Sequence, residues 1–174
     1  MKYRGTILIK QLGRIPMPPS KPLVSAASLF VLKSIYDTTP EPLEKFEIDE
    51  KRNQYDASRI LSRLTSKSKP EGVDYVLYVM GEDLFVGKFN FVFGVALPSF
   101  KIALLSTYRL GMNAGWKLYE ERIFKEAAHE IGHLMGLEHC YNSNCIMSFA
   151  NSVLDVDRKL PILCSDCMRK IGLI

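Results

Sequence analysis

The spacing of apolar and polar positions predicts a chain that alternates between strands and helices. Three apolar segments predict strands: Lys2–Lys10, Val73–Met80 and Ile102–Thr107. Val73–Met80 is almost wholly apolar after Asp74, which is typical of a strand that is buried on both faces of a sheet. Lys45–Ile48 predicts a further short strand.

A fourth apolar segment, Phe89–Leu97, has alternating phenylalanines until Gly94 breaks the pattern. It predicts an edge strand with a bulge at that glycine. Apolar residues at helical spacing predict helices in Ser25–Ile35 and Asp56–Leu64. Two proline-bearing stretches predict loops: Ile15–Pro22 and Thr38–Pro42. The alternation of strands and helices favours a mixed α/β or α+β sheet domain.

The longest predicted helix begins near Lys117 and ends near Leu137. One apolar stripe runs along it, at spacings of about three to four residues: Phe124, Ala128, Ile131 and Met135. His129 and His133 fall on the opposite side of this helix, so they face water, a second packing surface or a ligand.

Composition shows where the candidate metal-binding residues lie in the chain. The 174 residues are 47% hydrophobic and 24% charged, which suits one folded domain. All three His and all four Cys lie between His129 and Cys167. No apolar run is long enough to span a membrane, and the single short run Ile7–Ile9 in Met1–Gly13 does not make a secretory signal. The net charge is only +4, and the excess of basic residues lies in residues 1–70, away from the His and Cys segment, so no nucleic-acid partner is expected.

The histidines form the pattern H-E-x-x-H-x-x-G-x-x-H, made by His129, Glu130, His133, Gly136 and His139. On a helix, His residues four apart can reach a single zinc ion, while the adjacent glutamate is free to act as a general base. The glycine permits a left-handed turn that ends the helix and returns the third histidine to the metal. Zinc ligation is favoured over the alternative of a surface histidine pair with an exposed glutamate.

The cysteines form two close pairs, Cys140 with Cys145 and Cys164 with Cys167. This layout is typical of a structural four-thiolate zinc site, and it predicts two zinc ions per chain. Three alternatives stay open: two disulfides, a redox pair in Cys164–Cys167, and a cysteine bound transiently to the catalytic metal. Met147, in the turn-like segment Asn144–Phe149, is either a residue beneath the site or simple core filler.

Taken together, this continuous His, Glu, Gly, Cys and Met pattern over residues 129–167 resembles the archaemetzincins, a family in the metzincin clan of zinc metallopeptidases. Asn90–Leu97 and Ser106–Leu110 are also similar to the family. The resemblance departs from the family pattern in two ways. The gap from Met147 to Cys164 is 16 residues, one fewer than the family spacing, and the stretch after Met147 lacks the tyrosine that some metzincins use as an extra metal ligand.

The resemblance implies a role for each residue. His129, His133 and His139 would ligate a catalytic zinc, Glu130 would be the general base, and Met147 would form a hydrophobic floor in a Met-turn. Cys140, Cys145, Cys164 and Cys167 would hold the structural zinc. The implied fold is one domain, residues 1–174, with a twisted mixed sheet whose antiparallel edge strand lines the cleft. Residues 1–136 would supply the sheet and active-site helix, and residues 137–174 the third ligand, Met-turn and four-cysteine subdomain.

The leading hypothesis is therefore a zinc metallopeptidase that hydrolyses peptide bonds by general-base attack of zinc-bound water on a peptide or protein substrate. Four zinc-bound thiolates would suit a reducing cytoplasm. The alternative is a zinc-stabilised module that binds peptide or nucleic acid with little or no turnover. An intact Glu130 and the location of the basic excess favour the peptidase.

Overall fold

The computed structural model describes residues 2–15 and 18–174. In this part of the chain there are eight strands: β1 Thr6–Leu12, β2 Lys33–Glu41, β3 Ile48–Asp49, β4 Gln54–Asp56, β5 Tyr75–Met80, β6 Leu84–Phe85, β7 Gly94–Leu97 and β8 Ile102–Ser106. The α-helices of the same residues are α1 Ser20–Leu29, α2 Ala57–Thr65, α3 Trp116–Leu134, α4 Val153–Arg158 and α5 Ser165–Lys170. None of them combines the length and the apolar content that crossing a membrane requires.

Five strands form the main sheet in the order β2-β1-β5-β8-β7, and β3, β4 and β6 form a small second sheet. The first four strands of the main sheet are parallel, while β7 pairs antiparallel with β8 at the edge. The expected mixed sheet with one antiparallel edge strand is therefore present.

Side chains that alternate along the central strands enter two separate cores. On one face, Ile9 and Leu77 pack with residues of α1 and α3. On the other, Leu8 and Val76 pack with the apolar side of α2. Because successive residues of a strand point to opposite faces, β5 must be apolar throughout, as its sequence predicted.

The edge strand is shorter than expected. Only Gly94–Leu97 pairs as a strand, and Phe89–Phe93 approaches it as irregular chain. Of its three phenylalanines, Phe93 is buried and Phe89 is exposed, while the Phe91 ring packs edge-on against Phe93 at 5.2 Å between centroids. Gly94 begins the strand, opposite Leu105, rather than forming a bulge within it.

Several other boundaries also differ from expectation. The first helix begins at Ser20 and ends at Leu29, so the end of the predicted segment Ser25–Ile35 belongs to β2. The predicted loop Thr38–Pro42 lies mostly in β2, where a proline is tolerated because β2 is an edge strand. Lys45–Glu47 is a 3-10 turn that leads into β3. Of the predicted loop Ile15–Pro22, residues 16 and 17 lie outside the described residues.

Candidate active site

Helix α3 carries the first two histidines on the face that was predicted to lie opposite its apolar stripe. The helix ends at Leu134, and Gly136 takes the left-handed conformation with φ +91°. Backbone bonds from the N–H of Gly136 to the oxygen of His133 (3.0 Å) and from Leu137 to Gly132 (2.9 Å) close the helix end. The chain thereby reverses and brings His139 back beside the helix, as the glycine predicted.

The three imidazoles converge on one point. A ring nitrogen of each of His129, His133 and His139 lies within 4.8 Å of the others. The Nδ1 atoms of His129 and His133 lie 3.0 and 2.7 Å from the carbonyl oxygens of Ile146 and Leu137. Because a carbonyl only accepts, the proton of each ring lies on Nδ1 and leaves Nε2 as the lone-pair donor.

These donor atoms fit a zinc ion. The Nε2 atoms of His129 and His133 are 3.1 Å apart. Tetrahedral zinc with bonds of about 2.0–2.1 Å places its ligand nitrogens about 3.3–3.4 Å apart. Burial lowers the pKa of His129 well below its usual value and lowers that of His133 to a lesser degree. Neutral imidazole is the form that binds metals.

Glu130 lies between the active-site helix and the edge strand. It is buried, and a Cβ placed on Gly94 would lie only 2.6 Å from its Cδ and Oε1 atoms. Burial raises the pKa of Glu130 well above its usual value; the neighbouring Glu126 raises it further, and Lys159 opposes the shift. The Glu130 carboxyl is thus held against the strand beside the histidines.

Met147 packs against the active-site helix at Gly132. Its side chain is fully buried, and its Cε would lie 2.9 Å from a Cβ on Gly132. The carbonyl oxygen of Met147 accepts from the N–H of Cys140 at 2.9 Å, which joins this turn to the residue after His139. Gly132 is therefore required for Met147 to approach the helix so closely.

A cavity of about 570 Å³ opens over the histidines and Glu130. Its walls include β7, the chain before it, and Phe149, whose ring centroid lies 5.0 Å from that of His139. Phe149 occupies the position two residues after Met147, so it contributes an apolar wall and no tyrosine hydroxyl. The lining beside Glu126 and Glu130 is mainly aromatic and aliphatic.

The four cysteines form a second cluster next to this site. All four are free thiols, and their sulfurs lie within 4.8 Å of one another. The Sγ atoms of Cys140 and Cys164 are 3.7 Å apart, and those of Cys145 and Cys167 are 3.8 Å apart. Tetrahedral zinc–thiolate bonds of about 2.3 Å place sulfurs about 3.8 Å apart, so the cluster fits zinc.

Two features of the site escaped the sequence reasoning. Glu126 lines the cavity one helical turn before Glu130, and its spacing of four residues was the available signal. Lys159 reaches the same region from the end of α4, and no sequence pattern pointed to it.

The family profile described as "Peptidase family M54" matches residues 29–172. The chain belongs to this family, the archaemetzincins. It is 35% identical to an archaemetzincin of Pyrococcus furiosus over 178 residues, which cover 97% of this chain and 93% of that protein. Membership of this family indicates that the chain is a zinc metallopeptidase. The substrate class of a peptidase is a peptide.

Solved structures agree with the family on the fold. The crystal structure of an archaemetzincin from Methanopyrus kandleri superposes with a TM-score of 0.86 at 33% identity, covering 97% of this chain and 94% of that one. A zinc-dependent peptidase from Methanocorpusculum labreanum gives a TM-score of 0.83 at 32% identity, covering 96% and 100%. The predicted fold class, a metzincin-like mixed α/β sheet, is confirmed.

Proposed function

We propose that the chain hydrolyses peptide bonds in the cavity above α3, with His129, His133 and His139 as zinc ligands and Glu130 as the general base. The observation that carries this proposal is the convergence of three imidazole nitrogens, oriented by backbone carbonyls, beside a buried carboxyl. Zinc, when bound, would polarise the scissile carbonyl and lower the pKa of water in the site.

Glu130 would handle the proton. Its carboxylate would accept a proton from the attacking water and later donate it to the departing amine. Burial between α3 and Gly94 restricts the carboxyl to the side of the cavity next to the histidines. No covalent enzyme intermediate is needed in this scheme.

The edge strand would hold the substrate. Among the described residues, Gly94–Leu97 has β8 as its one strand partner, so its other side is available to an extended peptide. Backbone pairing of this kind recognises a main chain without regard to its sequence, and side-chain pockets then add selectivity. The aromatic and aliphatic lining around the histidines favours uncharged side chains near the scissile bond.

We further propose that the four cysteines bind a second, structural zinc, giving two zinc ions in one domain of residues 1–174. Four thiolates fill the tetrahedral shell, which excludes catalysis at that metal. A reducing cytoplasm would keep these thiols available for zinc. The modest net charge of +4 gives no reason to propose a nucleic-acid partner.

Metal analysis combined with cleavage-site mapping on an unbiased peptide mixture tests the function. We expect two zinc ions in the parent, and a Glu130→Gln variant that keeps both ions and its unfolding temperature while losing about 10²–10⁴-fold in rate. Glu120→Gln, on the same helix but away from the cavity, is the matched control and should cleave at the parent rate. Cleavage by Glu130→Gln at the parent rate would refute the mechanism. A parent that binds two zinc ions and cleaves nothing would favour the binding module.

A further inference from the structure

Lys159 is buried directly behind the candidate active site. Its side chain is 1% exposed, and its Nζ lies 2.7 Å from Oε1 of Glu126, which is itself 4% exposed. Glu126 stands one helical turn before Glu130 and lines the same cavity. The pair thus joins the end of α4 to the face of α3 that carries the histidines.

The lysine also reaches the backbone that orients a histidine. Its Nζ lies 3.4 Å from the carbonyl oxygen of Ile146. The same oxygen accepts from Nδ1 of His129 at 3.0 Å. One continuous set of contacts therefore runs from Glu126 through Lys159 and the Ile146 carbonyl to the ring of His129.

The backbone around both residues supports this arrangement. The N–H of Leu160, next to Lys159, donates to the oxygen of Asn144 at 3.0 Å, and the N–H of Ile146 donates to the oxygen of Ile162 at 2.9 Å. The two stretches of chain therefore lie side by side. Lys159 and the Ile146 carbonyl are therefore held next to each other by backbone bonds on both sides.

Charge gives the lysine a second effect. Glu126 and Glu130 lie close together in a buried cavity, where like charges repel strongly. The ammonium of Lys159 is 2.7 Å from the Glu126 carboxylate, so it compensates that charge directly. Without it, a second negative charge would stand beside Glu130 in the buried part of the cavity.

We propose that Lys159 is a positioning residue of the catalytic centre, which fixes His129 through the Ile146 carbonyl and neutralises Glu126 beside Glu130. The inference rests on the proposed ligation of zinc by the three histidines. Groups that orient metal-binding histidines typically contribute about 10–100-fold to metal affinity or to activity. We expect an effect of that size at the histidine site alone.

The test must separate this role from simple stabilisation of the fold. Lys159→Met alone leaves Glu126 buried and unpaired, which is strongly destabilising. The double variant Glu126→Met/Lys159→Met replaces both buried charges by apolar side chains, and such replacements are often nearly neutral for stability. Asp157→Asn is the matched control, because it breaks another ion pair of α3, with Arg122, that does not line the cavity.

Zinc retained by each intact protein would be measured in a series of chelator-buffered free-zinc concentrations. Thiol reactivity reports occupancy of the cysteine cluster separately. We expect the double variant to keep its unfolding temperature and its cysteine zinc, while the histidine site binds zinc about 10–100-fold more weakly. Its kcat should fall by a similar factor with little change in KM, and Asp157→Asn should show neither effect.

Each other outcome overturns a defined statement. If the double variant binds zinc and turns over like the parent, Lys159 has no positioning role. If it unfolds and loses both metals together, the pair acts on the fold and the inference is also wrong. If the parent itself binds no zinc at the histidines, the proposed function fails.

Discussion

Replacing Gly94 by alanine should disable the enzyme while leaving its fold and its metal ligands in place. The added Cβ would lie 2.6 Å from Cδ and Oε1 of Glu130 and 2.7 Å from its Cγ. Ordinary contacts begin at 3.4 Å, so one side must move by about 0.8 Å. Gly94 is fixed by its strand pairing with Leu105, whereas the Glu130 carboxyl lies at the far end of a side chain whose torsion angles can change. The carboxyl should therefore move.

The expected magnitude follows from that displacement. A misplacement of about 1 Å at a catalytic group costs on the order of 10²-fold in rate, which corresponds to about 2.7 kcal/mol in the activation free energy. Overpacking normally destabilises a fold by about 1–3 kcal/mol. Because a flexible side chain takes up the shift, we expect the lower end of that range in the free energy of unfolding.

The assay is kcat/KM on one peptide that the parent cleaves, together with zinc content and thermal unfolding. Gly81→Ala is the matched glycine control, since its added Cβ would meet atoms no closer than 3.8 Å. A double-mutant cycle with Glu130→Gln tests the route of the effect. If Gly94 acts through Glu130, then Gly94→Ala adds almost nothing in the Glu130→Gln background.

Two results would refute this reasoning. A Gly94→Ala enzyme with the parent kcat/KM would mean that the position of Glu130 is not critical. A full 10²-fold further loss in the Glu130→Gln background would mean that the alanine acts on the substrate strand and not on the carboxyl.

Three further predictions concern stability and metal. Asp157→Asn should lower the free energy of unfolding by about 2 kcal/mol at pH 7. Arg122 holds the pKa of Asp157 below its usual range. The stability difference between parent and variant should therefore be present above about pH 4 and should disappear as the pH falls through the folded-state pKa. Urea titrations at several pH values would measure it. Gly136→Ala should cost about 1–2 kcal/mol in thermal unfolding, because alanine is strained at φ +91°; an unchanged midpoint would contradict the left-handed turn. Cys164→Ser should reduce bound zinc from two ions to one and lower the unfolding temperature, while an unchanged zinc content would exclude the four-cysteine site.

Much of the candidate site follows from local sequence. His129 and His133 meet because residues four apart share one face of any helix. Gly136 ends that helix through its own left-handed conformation, which does not depend on distant residues. Asp56 caps α2 by accepting from the N–H of Ser58 at 2.8 Å, which also is a contact between near neighbours in the chain. Such contacts between near neighbours can be predicted from sequence because the local backbone conformation sets their geometry.

Element boundaries were less well predicted where tertiary context decides them. Phe89–Leu97 alternates like a strand, yet only its last four residues pair. The phenylalanines before them face the cavity wall and solvent instead. Thr38–Pro42 contains two prolines that predict a loop, but an edge strand leaves some N–H groups unpaired and so accepts proline.

The sequence by itself determined the donor sets, their spacing and the helix that presents them, because each depends on residues close together in the chain. Only the tertiary structure decided what surrounds Glu130. Gly94 meets it because β7 lies at the sheet edge beside α3, and Lys159 reaches Glu126 across 33 positions of sequence. Such contacts depend on how strands and helices pack, and no local periodicity encodes that packing.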